Sequence, residues 1–403
     1  NFSMELIEQT LNGSVTSGGR VTSTVSRNGD LVHRMYVNWN PNATLDANNP
    51  SFCYPSFTLL KEVEVEIGGQ KIDKHYGHWL TAWHELTSPN TACSFPIITT
   101  GNGADTGGAQ FATAIPVAIT TKELAVRPTQ EQAMGFHCKG TDVANTIEEC
   151  NAWVPLQFWF NRNPGLALPL IALQYHEVKV IMELCTDQQL AGNSGNDATI
   201  SASELKLWAE YIYLDTDERR RFAQVSHEYL IEQLQFQNSA PSTAIDLNFN
   251  HPVKELIFSG DRVSDGGPNG SIATHTRIST NVSGNADMRK VAQSHSSGCA
   301  VGLKLNGHER FSPQHLDYFT RTQVWQHHTG NGGVQKTDSL AVYSFALKPE
   351  EHQPSGTCNF SRIDNAQLTF SNTPQSGVNI RIYAVNYNVL RIMSGMGGLA
   401  YSN

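Results

Sequence analysis

The chain has 403 residues, of which 16% are charged, and its formal net charge at pH 7 is -9. This length is too great for one hydrophobic core and suits two domains of about 200 residues each. The acidic balance argues against direct nucleic-acid binding and against electrostatic attachment to a membrane, since both need clustered Lys and Arg. No apolar run reaches the roughly 20 residues of a membrane span, so no membrane insertion is expected.

The first half of the chain is predicted to begin with short strands at 5–10, 21–26 and 31–38. Asn-Gly pairs separate these runs, and Asn-Gly is the strongest local signal for a hairpin turn. Residues 61–67 alternate strictly between polar and apolar, which predicts a half-buried strand that ends at a Gly-Gly turn. Apolar residues then recur at helical spacing over 76–86, which predicts one short amphipathic helix.

The remaining strands of the first half are less regular. Residues 87–150 are rich in Thr, Gly and Ala, which predicts long loops between strands. Strands or their approaches are expected at 154–160, 166–173 and 174–184. Residues 187–203 are expected to form a polar loop.

The second half repeats this plan. Residues 301–307 alternate and then turn as 63–69 do. Residues 260–298 are dense in Gly, Ser and Asn and predict a second loop-rich region. The other strands of this half are predicted at 247–250, 256–258, 343–347, 363–370 and 380–390.

A short repeat supports an internal duplication, because Leu6-Ile7-Glu8-Gln9 recurs 224 residues later as Leu230-Ile231-Glu232-Gln233. Two similar all-β units of about eight short strands each predict two tandem jelly-roll sandwiches, a double jelly roll, with a few short helices. The expected domains are 1–214 and 225–403, and a helix at 215–224 is expected to join them.

This joint carries a dense run of charges: Asp215, Asp217, Glu218, Arg219, Arg220 and Arg221. Asp215 is a candidate N-cap with Glu218 three residues on, in the spacing of a capping box. Capping and ion pairing explain the acids better than a catalytic group does. The arginines could also reach a neighbouring subunit or an acidic partner.

No constellation of catalytic residues stands out, and we expect neither an enzyme nor a metal or other cofactor. Four His-Glu pairs occur, but none has the second His that a zinc protease needs four residues after the first. The pairs His75/His78 and His327/His328 lack a carboxylate or Cys at ligand spacing. A β-sandwich glycosidase would need two carboxylates across a cleft, for which Glu177 and Asp317 are candidates.

The sequence contains six Asn-x-Ser/Thr triplets, and covalent N-linked glycans are the one attached group we consider. The candidate acceptors are Asn269, Asn281, Asn12 and Asn42. Asn359 lies in a compact segment and is expected to be structural. The chain has seven cysteines without metal-type spacing, which favours reduced thiols, although a disulfide stays open.

Several long stretches resemble the major capsid proteins of large icosahedral double-stranded DNA viruses, the algal (chlorella-virus-like) branch in particular. They are ELIEQTLNGSV, VEIGGQKIDKHY, NPGLALPLIALQYHEVK, YIYLDTDERRRFAQVSHEYLIEQLQF, YSFALKPEEHQPSGTCNFSRIDNAQL and NYNVLRIMSGMGGLAYSN, and taken together they are long and specific. The resemblance implies a double jelly-roll chain that forms a homotrimer with a near-hexagonal outline. Such capsomers would tile an icosahedral shell over an internal membrane, with neighbouring capsomers and minor capsid proteins as partners.

The resemblance also implies a virion protein that is assembled in the host cytoplasm. The family's short N-terminal arm has no counterpart here, so contacts made by that arm are not carried over. The alternative function is a glycan-binding attachment or spike protein, or a minor capsid subunit, on the same fold.

Overall fold

The structure is a computed structural model that describes residues 2–40, 55–88, 151–191, 200, 204–262, 278, 299–330, 339–374 and 378–401. Within these residues no helix is long and apolar enough to cross a membrane. The strands of the first half are β1 (Phe2–Gln9), β2 (Leu11–Asn12), β3 (Arg20–Thr24), β4 (Leu31–Asn40), β5 (Leu60–Ile67), β6 (Gln70–Tyr76), β7 (Ala152–Pro155), β8 (Leu168–Pro169), β9 (Val178–Leu184) and β10 (Glu204–Leu214). Its helices are α1 (Pro55–Leu59), α2 (Gly77–Thr87), α3 (Trp159–Arg162) and α4 (Asp187–Ala191), with a 3-10 turn at Pro164–Leu166.

Helix α5 (Thr216–Gln224) links the halves. The strands that follow it are β11 (His227–Ser239), β12 (Ala244–Asp246), β13 (Pro252–Arg262), β14 (Ala300–Leu305), β15 (His308–Glu309), β16 (Gln314–His315), β17 (Ala341–Ser344), β18 (Cys358–Asn359), β19 (Ala366–Phe370), β20 (Val378–Met393) and β21 (Met396–Leu399). The second half also has a π-helical turn at Tyr318–Thr322, α6 (Gln323–His327) and a 3-10 turn at Phe360–Arg362.

The strands form two antiparallel sandwiches of the same design. The first packs a sheet ordered β1-β10-β4-β7 on a sheet ordered β2-β3-β9-β5-β6, and the second packs β11-β20-β13-β17 on β12-β19-β14-β15. Equivalent strands therefore take equivalent places, and β1 and β11, which carry the repeated tetrapeptide, are each at the edge of their sheet. No described sheet contains strands from both sides of α5. This is the double jelly roll that the sequence predicts.

Matching hairpins show how the duplicated sequence produces duplicated structure. In β5, Val63, Val65 and Ile67 are fully buried, as the strict alternation predicts. The strand ends at Gly68 and Gly69, whose φ angles of 59° and 82° suit a tight two-residue hairpin turn. In the second half β14 ends the same way at Asn306 (φ 50°) and Gly307 (φ 80°).

Each sandwich has its own apolar interior, but the two interiors are not separate. The second sandwich encloses Phe258, Val301 and Leu368. The first encloses Trp39 and Phe158 among others, and its cluster continues into the second domain through residues on the outer face of the β11-β20-β13-β17 sheet: Ile257, Val342, Tyr383 and Val385. A buried apolar interface therefore joins the jelly rolls.

Some strand boundaries differ from the sequence predictions. The predicted strand at 247–250 is wrong, since the strand is Ala244–Asp246 and residues 247–250 belong to no strand. Leu247 and Phe249 are still buried, which explains the misleading alternation. The predicted loop at 187–203 begins with α4. The strand predicted at 174–184 starts only at Val178, because the Arg27 guanidinium binds the carbonyls of Leu173, Gln174 and His176 and holds a turn there.

Candidate functional site: the interface between the two jelly rolls

Helix α2 is the main element that the first domain presents to the second. Eight of its eleven residues are buried, including Trp79, Leu80, Trp83 and Leu86. An amphipathic surface helix would expose one face, but this helix is covered on nearly all sides. The second domain supplies the extra cover, so the helix predicted at 76–86 is present with a more buried environment than its pattern suggested.

Aromatic rings fill the centre of the interface. The Tyr383 ring of β20 lies 5.3 Å from the Trp79 ring and 5.2 Å from the Phe236 ring, measured between centroids. The Tyr76 and Phe236 rings, from opposite domains, are 4.9 Å apart. The Tyr383 hydroxyl shares a hydrogen bond with His78 Nδ1. Burial raises the pKa of Tyr383, so its hydroxyl keeps its proton at neutral pH.

Asp73 connects the backbones of the two domains. Its Oδ1 accepts a hydrogen bond from the Leu234 N–H of β11 at 3.0 Å, and its Oδ2 lies 2.9 Å from His75 Nε2. The Gln233 side chain of β11 donates to the Ile72 carbonyl on the other side. Because these groups are buried, losing the bond to Asp73 Oδ1 or the bond from the Gln233 side chain would leave a further polar atom unsatisfied.

An ionic cluster lies beside the aromatic centre. Glu232 on β11 is contacted by Lys254 Nζ at 2.8 Å, by Arg162 Nη1 of the first domain at 2.8 Å and by His352 Nδ1 at 3.6 Å. Burial by itself raises the pKa of the Glu232 carboxyl, but Lys254, His352 and Arg162 outweigh burial and lower the pKa to about 2. Glu232 is therefore an anion at neutral pH and holds both domains through its cationic neighbours.

A second cluster surrounds His328, just after α6. Its ring lies between Glu255 Oε2 and Glu350 Oε1, each 3.0 Å from a ring nitrogen. Burial lowers the pKa of His328, but Glu255 and Glu350 outweigh it and raise the pKa to about 9. Next to it, the Gly330 N–H donates to the Leu86 carbonyl at 2.7 Å, so the end of α2 is tied to this segment.

The C-terminal hairpin adds a third set of contacts between the domains. β20 turns at Ser394 and Gly395, whose φ angles are 53° and 80°, and returns as β21. The Gly395 carbonyl accepts from the Tyr175 N–H at 3.0 Å, and the Gly397 N–H donates to His176 Nδ1 at 3.2 Å. The hairpin therefore packs on the first domain and is hydrogen-bonded to it.

Helix α5, the predicted joint, lies on the first domain. Asp215 is its N-cap, and Oδ1 accepts from the Thr216 N–H at 2.7 Å. Arg219 pairs with Asp30 at 2.9 Å, and Phe222 packs on a small cluster from the first domain. The other predicted joint residues are exposed: Asp217, Glu218, Arg220 and Arg221. That this helix sets the angle between the domains stays a prediction, because the contacts described above lie elsewhere.

The other candidate residues are dispersed. Asn12 is exposed at the end of β2, and glycosylation there stays a prediction; Asn42, Asn269 and Asn281 lie outside the described residues. Glu177 pairs with Lys179 in the first domain, whereas Asp317 pairs with Arg321 in the second.

The histidines of the two pairs contact other groups of the protein. His75 binds Asp73 and stacks on Phe158, and His327 Nδ1 contacts a carbonyl. His328 is buried rather than at the surface, between two carboxylates. Across the part of the chain that the structure describes, no group of three or more His, Cys, Asp and Glu side chains could hold a metal ion.

Sequence reasoning missed Arg162 and Lys254, and it considered His328 only as a metal-ligand candidate and not as part of an ionic cluster. One signal was available, because Glu232 belongs to the repeated tetrapeptide. A residue that recurs in both copies of the repeat occupies an equivalent position in the two domains, although the repeat does not reveal which charged side chains surround it.

Comparisons with known proteins agree with this architecture. Residues 218–398 match the family model described as large eukaryotic DNA virus major capsid protein, and residues 1–215 match that of the major capsid protein N-terminus. The chain is 45% identical over its full length to the major capsid protein of Pyramimonas orientalis virus, covering 91% of that protein. The chain belongs to this capsid protein family. Its role is structural, as a protein of the virion capsid.

Similar structures give the same result. A chain of the capsid of Paramecium bursaria Chlorella virus 1 (PBCV-1) is 34% identical, with a TM-score of 0.73 over 100% of this chain and 97% of that one. The Faustovirus major capsid protein, at 15% identity, has a TM-score of 0.63 over 98% of this chain and 91% of that one, which speaks to the fold alone.

Proposed function

We propose that this chain forms a homotrimeric capsomer of near-hexagonal outline, and that these capsomers build an icosahedral shell after assembly in the host cytoplasm. Neighbouring capsomers and minor capsid proteins are its partners in that shell, which overlies an internal membrane. The observation that carries the proposal is the interface between the jelly rolls. In it, the two domains contribute different surfaces: the first presents helix α2, and the second presents the outer face of its β11-β20-β13-β17 sheet.

An interface of this type favours a ring. Contacts between unlike surfaces are heterologous, and a heterologous contact generates a closed ring when its rotation divides a full turn. The two domains have the same sheet order, so a contact resembling the one within the chain can also form between chains. Three chains supply six similar domains, which is the number that a near-hexagonal ring requires.

The interface is also built to hold a fixed angle between the domains. It combines a buried helix, a stacked aromatic centre, two charge clusters and the C-terminal hairpin. Apolar burial stabilises the contact, while the directional hydrogen bonds at Asp73 and Glu232 allow one orientation. A shell protein needs such rigidity, because errors in angle accumulate across a lattice.

Light scattering on the purified full chain tests this proposal. We expect a stable species at three times the 44.4 kDa of one chain. A monomer across the micromolar range would contradict the capsomer. Binding of that monomer to a host-polysaccharide array would favour an attachment protein instead.

A further inference from the structure

A short segment of the second domain, residues 328–330, binds the end of helix α2, and we call it the latch segment. The Gly330 N–H donates to the Leu86 carbonyl at 2.7 Å, and the Thr329 hydroxyl oxygen lies 2.9 Å from the Thr87 carbonyl oxygen. The fit is close, because a Cβ on Gly330 would lie 2.2 Å from a backbone carbonyl oxygen of α2. The latch segment therefore fixes the last turn of α2 to the second domain.

One ionic contact holds the latch segment in place. The His328 ring is buried between Glu255 of β13 and Glu350, with each ring nitrogen 3.0 Å from a carboxylate oxygen. Glu350 also accepts a hydrogen bond from the Thr329 N–H at 2.9 Å. Two carboxylates can share this buried site because an imidazolium lies between them, and a neutral ring would leave both negative charges uncompensated. The position of the latch segment therefore depends on a group that can lose its charge.

The other titratable groups around this site do not replace His328. They lie on β13, on β20, in the segment after β17 and on α2: Lys254, Tyr387, His352, His84 and Glu85. Lys254 and His352 face Glu232 instead. Burial lowers the pKa of His84 to about 4, so that ring is neutral at and above neutral pH. Burial raises the pKa of Tyr387, so its hydroxyl keeps its proton. The two glutamates of the latch site therefore rely on the imidazolium.

The two sides of the contact between the domains respond to opposite changes in pH. The pKa of His328 is raised from 6.5 to about 9, so its contact is complete below about pH 6.5 and is lost as pH rises through 9. The pKa of Glu232 is lowered to about 2, so the contact around Glu232 is lost only in acid. Its partner Arg162 keeps its charge in alkaline solution. Alkaline pH therefore acts on the latch site and leaves the Glu232 cluster intact.

We propose that residues 328–330 form a pH-sensitive latch that releases the end of α2 under alkaline conditions, while the contact around Glu232 stays closed. The proton of His328 passes to solvent, the two glutamates lose their shared cation, and the latch segment moves away from them. Its hydrogen bonds to the last turn of α2 break at the same time. The domains then stay joined on one side only. All of these groups belong to one chain, so the inference is independent of the proposed trimer.

Hydrogen exchange of the purified full chain, measured by mass spectrometry at pH 7 and pH 9.5, tests the latch. Peptides that contain the Thr329 and Gly330 amides report the latch segment, and the Leu234 amide, bound to Asp73, reports the rest of the contact. After correction for the intrinsic exchange rate, protection of the latch amides should fall roughly 60-fold between the two pH values, the ratio that pKa values of 6.5 and about 9 give by linkage. The Leu234 amide should keep its protection within about threefold.

His328→Gln and His327→Gln are a matched pair of variants. His328→Gln keeps a polar side chain that cannot carry charge, so the latch amides should already be weakly protected at pH 7 and should lose little more at pH 9.5. His327 contacts a backbone carbonyl rather than a carboxylate, so His327→Gln should keep the wild-type profile. Protection of the Leu234 amide and the far-UV circular dichroism show whether each variant is folded.

Gly330→Ala tests the contact with α2 without changing any charge. The added methyl group would collide with the backbone of α2, so the latch amides should lose protection at least tenfold at pH 7. Wild-type latch amides that stay protected at pH 9.5 would overturn the proposal. An equal loss of protection at Leu234 would also overturn it, because the domains would then separate as one unit and not at the latch.

Discussion

Removing the charge of Glu232 should weaken the union of the two domains at neutral pH. In Glu232→Gln, the ammonium group of Lys254, which is fully buried, loses the anion 2.8 Å away. The pKa of Glu232 is about 2 in the folded protein and 4.5 as its ordinary value. At 1.36 kcal/mol per pH unit, this gap corresponds to about 3 kcal/mol of stability at pH 7. Breaking a buried pair by removing one partner costs a similar amount, about 3–5 kcal/mol.

The same linkage fixes the pH dependence. Because the folded-state pKa is depressed, the stabilisation is fully present above about pH 4.5 and is lost as pH falls towards 2. Urea unfolding of the wild type between pH 7 and pH 3 should therefore show a decline in stability to which Glu232 contributes. The Glu232→Gln variant should be less stable at pH 7 and should lack that part of the decline.

Glu228→Gln is the control for this experiment. Glu228 lies four residues earlier on β11 and pairs with Arg391, but both side chains are more than half exposed. Its neutralisation should change the stability by less than about 0.5 kcal/mol. If Glu232→Gln were as stable as Glu228→Gln at pH 7, with the wild-type pH profile, the ionic cluster would not hold the domains together.

The other predictions concern separate parts of the chain. The pKa of His328 is raised to about 9, so its contribution to the free energy of unfolding should be complete below about pH 6.5 and should disappear as pH rises through 9. In urea unfolding, the His328→Gln variant should lack this alkaline decline in stability. An unchanged decline would exclude His328 as its source. Asp215→Ala removes an N-cap and should cost about 1 kcal/mol by thermal unfolding, whereas an unchanged melting temperature would count against the capping role. Gly68→Ala should destabilise more than Gly69→Ala, because an added Cβ would lie 2.3 Å from His176 Nδ1 at the first position and in open space at the second; equal melting temperatures would contradict this packing.

Local patterns in the sequence were sufficient to predict the fold class. The alternation of residues 61–67 and the following glycines predicted β5 and its turn, and residues 301–307 predicted the matching hairpin. Such elements depend on side-chain period and turn chemistry, which are local properties. The repeated tetrapeptide predicted two similar domains, and β1 and β11 do occupy equivalent places in the sheets.

The interface could not be predicted in the same way, because its partners are distant in sequence. Nothing near Glu232 indicates that Arg162 of the other domain will contact it. The sequence pattern of α2 indicated only an amphipathic helix. The second domain covers the remaining face of α2, and this burial is a tertiary property that local sequence does not show. The charges of 215–221 attracted attention as a joint, yet among them Arg219 pairs with Asp30 on the first domain.

Cryo-electron microscopy of the purified oligomer tests the central claim most directly, namely that the chain forms a homotrimeric capsomer of near-hexagonal outline. The account predicts a threefold ring of six jelly rolls in which first and second domains alternate. A monomer, or a ring in which first domains meet one another around the axis, would contradict it.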